Sequence, residues 1–293
     1  MSTPLDSITS VRAYSTRKLR TAYAGFCLQV TRNSDNAPQD IGFVSGWVDY
    51  ASITAFAPGG YRVNTWYDQS GNVGNMLIAG GATLVVNNTG IHSNPSIAFD
   101  GVSYFANSGV PQAANYTAIA VVQASSATGF ILNGDDAGTG GTSRIAQYMR
   151  YLTAPGRLTS ISFNNPLGST FQVDNNTTVT NAHVVSVISD GSNVTNWVDG
   201  TSNSTAESGT MAGGITSLLT IGAFWDGSAA LTGQIGEVIL LGTASPTNRL
   251  TLQTDELLVW LGIGGGAVPT RTTMGVGISA RIKRPPKPKL WGI

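Results

Sequence analysis

The sequence predicts an all-β domain built as an antiparallel sandwich, and three observations predict it. Of 293 residues only 11% are charged while 36 are Gly, and Asn, Thr and Ser are abundant; these residues disfavour helices and favour strands and turns. Short β-type runs recur along the chain, mostly bounded by Gly, Asn, Asp or Pro. Helices long enough to serve as parallel crossovers are missing, which leaves antiparallel pairing.

Taken in order, "SVRAYSTRKLRTAYAG" (10–25) reads as a short helix or turn before the first strand, with Arg12, Arg17, Lys18 and Arg20 as a solvated basic face. "FCLQVTR" (26–32) alternates as a strand should. "IGFVSGWVDY" (41–50), "YRVNTWY" (61–67), "ATLVVNN" (82–88), "SIAFDG" (96–101), "YTAIAVVQA" (116–124) and "GFILNG" (129–134) follow as strands. Then come "RLTSISFNN" (157–165), "TFQVDNN" (170–176), "SLLTIGAFW" (217–225) and "GQIGEVILLG" (233–242). "SVISDGSNVTNWVDG" (186–200) is a strand, a tight Asp-Gly turn and a return strand. In "NTWYDQSGNVGN" (64–75), Arg62, Asn64 and Trp66 read as one strand face, and Val63, Thr65 and Tyr67 as the other. Asp68 to Asn72 then reads as a turn, with Asp68 capping backbone N–H groups and Gly71 free to take positive φ. One helix is legible at 245–263: Ser245 or Thr247 as N-cap, Pro246 in the first turn, Leu250, Leu257, Leu258 and Leu261 as the apolar stripe, and Gly262 as the stop.

Charge divides the chain into a domain (1–263) and a tail (264–293). The first holds ten basic and sixteen acidic residues; the second holds six basic residues and no acid. In the tail Met274, Val276, Ile278, Ala280 and Ile282 alternate as in a strand, "RPPKPK" favours polyproline II, and "LWGI" closes it. The pattern suits an extended docking arm, with Met274, Val276, Ile278, Arg281, Lys283, Arg284, Leu290 and Trp291 contacting a partner. The single cysteine, Cys27, allows no intrachain disulfide, and "MSTPLDSITS" has neither a basic n-region nor an apolar run. The expectation is a protein made and folded in a reducing cytosol.

Four stretches, "AYSTRKLRTAYAGFCLQVTRNSDNAPQDIGF" (13–43), "TWYDQSGNVGN" (65–75), "NPSIAFDG" (94–101) and "GQIGEVILLG" (233–242), carry a family resemblance. Over about residues 5–263 the chain resembles the laminin-G-like, concanavalin A-like domain of bacteriophage and prophage structural proteins. It also resembles the catalytic domain of arabinofuranosidase B-type glycosidases. The resemblance implies a two-sheet antiparallel jelly-roll sandwich, to which the residues themselves add one short C-terminal helix and the extended tail.

The enzyme branch of the resemblance implies a nucleophilic Glu followed by Asn-Asn, and an acid/base Asp in the loop after "IGG". Here "SISFNNP" (160–166) offers Asn164 where the nucleophile would sit, and "IGAFWDGS" offers Asp226 across a two-residue gap. An amide cannot form the glycosyl ester that a retaining glycosidase requires. His92 and His183 read as turn or surface residues, and neither a triad nor a zinc set is present. Asp68, Asn72 and Asn75, Asp135 and Asp136, and Trp225 with Asp226 are loop oxygens or platforms that could meet calcium or sugar. Their spacing fits no EF-hand, and turn formation is the plainer use of each. Trp225 and Asp226 are the carbohydrate-binding candidates. The reading is therefore of a non-enzymatic virion component, a capsid decoration or head/tail-associated protein assembled in the host cytoplasm. It would be oligomeric, would dock through its tail on other virion proteins, and would need no metal or cofactor. An arabinofuranosidase-type glycoside hydrolase and a free lectin-like module are the alternatives.

Overall fold

A computed structural model describes residues 3–263 apart from 82, 113–114, 126–128, 136–144, 153–156, 165–168, 176–180, 191, 207–214 and 225. The expected tail contacts Met274, Val276, Ile278, Arg281, Lys283, Arg284, Leu290 and Trp291 lie outside the described residues, as does Trp225.

The chain forms β1 (Arg12–Ser15), β2 (Leu28–Arg32), β3 (Pro38–Ile41), β4 (Phe43–Val44), β5 (Trp47–Val48), α1 (Tyr50–Phe56), β6 (Tyr61–Trp66), β7 (Met76–Ala79), β8 (Val85–Ile91), β9 (Asn94–Asp100) and β10 (Tyr104–Gln112). It continues with β11 (Tyr116–Ala124), β12 (Gly129–Asp135), β13 (Ile145–Leu152), β14 (Arg157–Asn164), β15 (Ser169–Asn175), β16 (Ala182–Ser189), β17 (Asn193–Val198), β18 (Thr201–Ala206), β19 (Ile215–Ile221), β20 (Thr232–Leu241) and α2 (Pro246–Leu261). An eight-stranded sheet runs β18-β17-β16-β11-β20-β9-β8, with β1 also on β20, and a ten-stranded sheet runs β15-β14-β13-β12-β19-β10-β7-β6-β2-β3. Every described pairing between named strands is antiparallel, as expected for a two-sheet sandwich.

The apolar core lies between the sheets, where Val185, Ala120 and Val238 from one face Val63, Trp66, Phe105 and Ile221 from the other. A second cluster lies outside the smaller sheet. Ile119, Val121, Val184 and Ile239 point away from the first core and are covered by Leu252, Trp260 and Leu261 of α2 and by Leu5 and Leu19. That cover is why β16 is buried at every position, as a two-sided strand must be.

The helix begins and ends where its capping residues place it. Ser245 accepts the N–H of Asn248 at 3.3 Å, Pro246 occupies the first turn, and Gly262 takes the left-handed conformation at φ 65. Its buried stripe differs from the expected one. Leu250 and Leu258 are exposed, while Arg249, Leu252, Gln253, Glu256, Trp260 and Leu261 face inward. Polar residues take the inner positions because partners wait there: Arg249 lies over the Trp197 ring at 4.1 Å, and Glu256 meets Arg17 at 2.6 Å.

Four local readings are corrected. Residues 12–15 are a strand, β1, which completes the edge of β20 beside β9. Arg12 and Arg17 are buried rather than solvated, because each has acidic partners inside. The simple alternation of 62–67 fails at a bulge opposite Gln29 and Val30, so Val63, Thr65 and Trp66 are all buried. The helix α1 also interrupts what reads as strand at Tyr50; Asp49 caps it by accepting the Ser52 N–H at 3.0 Å.

Candidate functional site

The sequence marks the corner at 64–75 and the loop carrying Asp226 for chemistry, and the structure adds a cluster of acidic residues against α2. The structure assigns them different work.

The corner is a clasp. The Oδ1 atom of Asp68 accepts the N–H of Ala13 at 3.0 Å and of Ser70 at 2.9 Å, and Oδ2 accepts the Ser70 hydroxyl. Burial raises its pKa, against those hydrogen bonds and Arg12, whose guanidinium is 3.8 Å away. Gln69 is fully buried; its carbonyl accepts the Leu19 N–H, and its amide donates to the carbonyls of Ser15 and Arg17. Asn72 donates to the carbonyls of Ser10 and Val11, and Tyr14 donates to Gly74 at 2.5 Å. Asp68 thus binds backbone, and "WYDQSGN" fixes residues 10–20 against the larger sheet.

The acidic cluster is a joint. Arg17, fully buried, donates to Glu237 at 2.9 Å, Asp255 at 2.8 Å and Glu256 at 2.6 Å. Three carboxylates around one guanidinium leave excess negative charge in a dry place. Burial, with Glu237 beside it, therefore pushes the Glu256 carboxyl well above the ordinary range, against the pull of Arg17. Glu237 and Glu256 are sealed from solvent and so cannot meet a substrate.

The loop between β19 and β20 is different. Ile221 is level with Phe105 on one neighbour and Leu132 on the other, and all three face the core. Thr220 and its partner Asn133 therefore lie on the opposite, outer face of the ten-stranded sheet, with Tyr104 adjoining on β10. The chain bends over that face after Ile221. The Thr220 hydroxyl donates to the Ala223 carbonyl at 2.8 Å, and Phe224 stacks on Phe130 with ring centres 5.0 Å apart. Gly227 sits so close to Tyr104 that a β-carbon there would come within 3.0 Å of the ring, and its φ of 82 suits glycine. Asp226 projects from this turn, exposed, with Oδ1 accepting the Ser228 N–H at 2.8 Å. Hydrogen bonds from Ser228 hold its carboxyl below the ordinary range, so it is ionised at neutral pH. Asp226 thus offers an ionised, solvent-facing carboxylate, one residue from Gly227, which packs on Tyr104, and two from Phe224, and it can accept a proton or a hydrogen bond from a sugar hydroxyl.

Sequence reasoning missed Tyr104, Phe130 and Phe224. A bulge at Phe130–Leu132, facing Arg150 and Met149, breaks the two-residue period that would have put Phe130 on the core face with Leu132. Asn133 itself is fully buried with neither side-chain polar atom hydrogen-bonded.

Asn164 and Asp226 are not brought together by register. Ser160 is level with Ile221 through Met149 and Leu132, and Asn164 lies four residues further along β14, three strands away. That is about 13 Å along the strand direction alone, against roughly 5 Å for a retaining carboxylate pair. His183 is also corrected: it is buried, with Nδ1 2.5 Å from Asp199, and not a surface residue. His92 does sit in a turn, at φ 46.

Comparison with known proteins bears on these assignments. The family model "Alpha-L-arabinofuranosidase B, catalytic" matches residues 7–103, a third of the chain that includes the whole clasp. No curated protein matches. Among solved structures, an arabinofuranosidase complexed with arabinofuranosyl-α-1,2-xylobiose aligns with TM-score 0.60 and 16% identity over 83% of this chain and 61% of its own. An α-L-arabinofuranosidase mutant soaked with 4-nitrophenyl α-L-arabinofuranoside aligns with TM-score 0.61 and the same identity and coverage. Domain 4 of an extracellular arabinanase from Geobacillus stearothermophilus, in complex with arabinotriose, aligns with TM-score 0.50 and 16% identity over 64% of this chain and 91% of its own. At these identities the structural likeness is one of fold, and the chain spans about three-fifths of the arabinofuranosidases it matches.

These findings correct two expectations. The virion structural role is overturned: the family model that matches is an arabinofuranosidase catalytic model, and the solved structures above are of carbohydrate-active proteins. The non-enzymatic reading is overturned with it, since the clasp that carried the resemblance is the segment matched by a catalytic-domain model. The missing Glu at 164 had weighed against catalysis, but that short alignment selected a strand position remote in register from the Asp226 loop.

Proposed function

We propose that this chain is an arabinofuranosidase-type glycoside hydrolase domain, acting on α-L-arabinofuranosyl groups of glycans. The match of residues 7–103 to the arabinofuranosidase B catalytic model carries the reading. The shared sandwich fold and an exposed carboxylate on the loop that follows β19 support it.

Within this reading Asp226 is the proton-transfer group. Its low pKa suits a base in the free protein; a sugar closing over the loop would desolvate the carboxylate and raise its pKa toward that of an acid. Tyr104 and Phe224 offer ring surface beside it, the usual complement to a few well-placed polar groups in a ligand site. Asn164 takes no covalent role, since an amide cannot form the glycosyl ester.

Release of 4-nitrophenol from 4-nitrophenyl α-L-arabinofuranoside tests the proposal. The wild-type protein should turn the substrate over, and Asp226→Asn should lower the rate about 10²–10⁴-fold. No release by wild type at micromolar enzyme over a day, or an unchanged rate in the variant, overturns the hydrolase or the role of Asp226 respectively.

A further inference from the structure

A cleft away from the Asp226 loop has the makings of a second glycan site. It lies between residues 23–26 and the β4–β5 hairpin, with a volume of about 440 Å³, and is lined by Lys18, Tyr23, Phe26, Phe43 and glycines including Gly25 and Gly46. The hairpin is held open beside it by Ser45 and Gly46, both at positive φ, and by the Lys18 N–H donating to the Gly46 carbonyl at 2.8 Å.

Three observations define what would fit. The first is aromatic surface that the fold does not bury: Phe26 is 48% exposed, although a side chain of this size is normally packed away. Its ring is braced by Tyr67 at 6.1 Å, and Tyr23 and Phe43 meet edge-on at 6.2 Å, so the surfaces are fixed in place. The second is a polar acceptor beside those rings. The Tyr23 hydroxyl donates to the Phe26 carbonyl at 2.9 Å, so its oxygen can still accept a hydrogen bond. The third is charge: among the described residues the Lys18 ammonium has no carboxylate or hydrogen-bond partner. Asp40, which reaches this side of the molecule through Tyr67, has Oδ1 occupied by the Tyr67 hydroxyl at 2.6 Å and by Gln29 at 3.1 Å.

A pyranose presents C–H groups to an aromatic ring and hydroxyls to a polar acceptor, and a uronic acid adds a carboxylate for an unpaired ammonium. We propose that this cleft binds an acidic sugar, a uronic acid residue of a glycan chain, so that the domain holds an acidic polysaccharide at a subsite separate from the Asp226 loop. This goes beyond the hydrolase reading and is measured by binding alone.

The probes are a glucuronic-acid-substituted xylotriose and the same oligosaccharide with its carboxyl reduced, titrated calorimetrically into the full chain. The acidic probe should bind about tenfold more tightly than the reduced one, the worth of one partly screened charge pair. Lys18→Gln should remove that difference, and Phe26→Ala should weaken both probes about fivefold. The Lys18 ammonium has no structural partner among the described residues and the half-exposed Phe26 ring meets Tyr67, so both variants should keep thermal midpoints close to wild type and turn over the nitrophenyl arabinofuranoside at the wild-type rate. Equal affinity for the two probes, no binding of either, or preference for the acid surviving Lys18→Gln overturns the proposal. Loss of turnover with acidic-sugar binding intact would count against the hydrolase reading and leave this one standing.

Discussion

At the joint beneath α2, Glu237, Asp255 and Glu256 crowd around Arg17; on the loop after β19, Asp226 stands in solvent and accepts the Ser228 N–H. The chemical groups are alike and the consequences opposite. Burial drives the Glu256 pKa up and commits the cluster to holding a helix against a sheet. Hydrogen bonds from the Ser228 hydroxyl and N–H hold the Asp226 pKa down, and exposure leaves the carboxylate free. Two carboxylates close together suggest catalysis only where a substrate can reach them, and here the crowded ones are sealed. Access separates structural acid from candidate catalytic acid in this molecule.

The strongest way to break that contrast is to exchange the two kinds of loss. Asp226→Asn should cost about 10²–10⁴-fold in kcat/KM while leaving urea-unfolding stability within about 0.5 kcal/mol of wild type. A comparable fall in stability would make Asp226 a structural residue instead. Arg17→Met should do the reverse, losing about 3–5 kcal/mol in the same unfolding titration, because it leaves buried carboxylates without their counter-ion. A loss below about 1 kcal/mol would mean the cluster takes up protons freely and that Arg17 is not its keystone.

Gln69→Leu sharpens the contrast with the clasp, where the groups are neutral. It leaves the Leu19 N–H and the Ser15 and Arg17 carbonyls without their side-chain partner. The expected cost is about 1–3 kcal/mol, with residues 10–20 losing hydrogen-exchange protection first. Uniform loss of protection across the domain would show that the clasp is no separate unit.

The smallest effect expected is that of Glu256→Gln, and its sign depends on pH. The folded-state pKa of Glu256 is raised, so the stability tied to its proton is full below the unfolded value near 4.5 and is lost as pH rises through the folded value. Gln keeps a hydrogen-bond donor and cannot ionise. The variant should therefore gain on wild type by about 1 kcal/mol between pH 4 and pH 8. A gap that widens as pH falls would show that Glu256 is ionised in the folded protein.

Most strands were legible because their signals are local. "YTAIAVVQA" has strand-forming residues, the Asp190 turn has an acceptor for the N–H groups of Ser192 and Asn193, and Ser245, Pro246 and Gly262 mark the helix ends. β1, β3, β7, β10, β13, β18 and α1 were not foreseen. β1 shows why: its four residues carry Arg at the start and Ser at the end, and they are a strand only because β20 offers an unpaired edge. The Asp226 loop was legible as a carboxylate in a Gly-bounded turn; its aromatic surroundings were not, because Tyr104 and Phe130 lie over a hundred and nearly a hundred residues away.

What the sequence determined by itself was the β-rich class, the turn chemistry, the helix caps and the clasp motif, all of which rest on interactions within a few residues or on composition. Tertiary structure alone decided which charges are buried. Arg17 reads as one of a run of solvated basic residues until Glu237 and Glu256, more than two hundred positions away, close around it. Asp226 reads as one loop acid among several until the sheet puts aromatic rings beside it and leaves its carboxylate in water. Burial and pairing are properties of the assembled sandwich, and the free energy of a charge is set by them rather than by its neighbours in sequence.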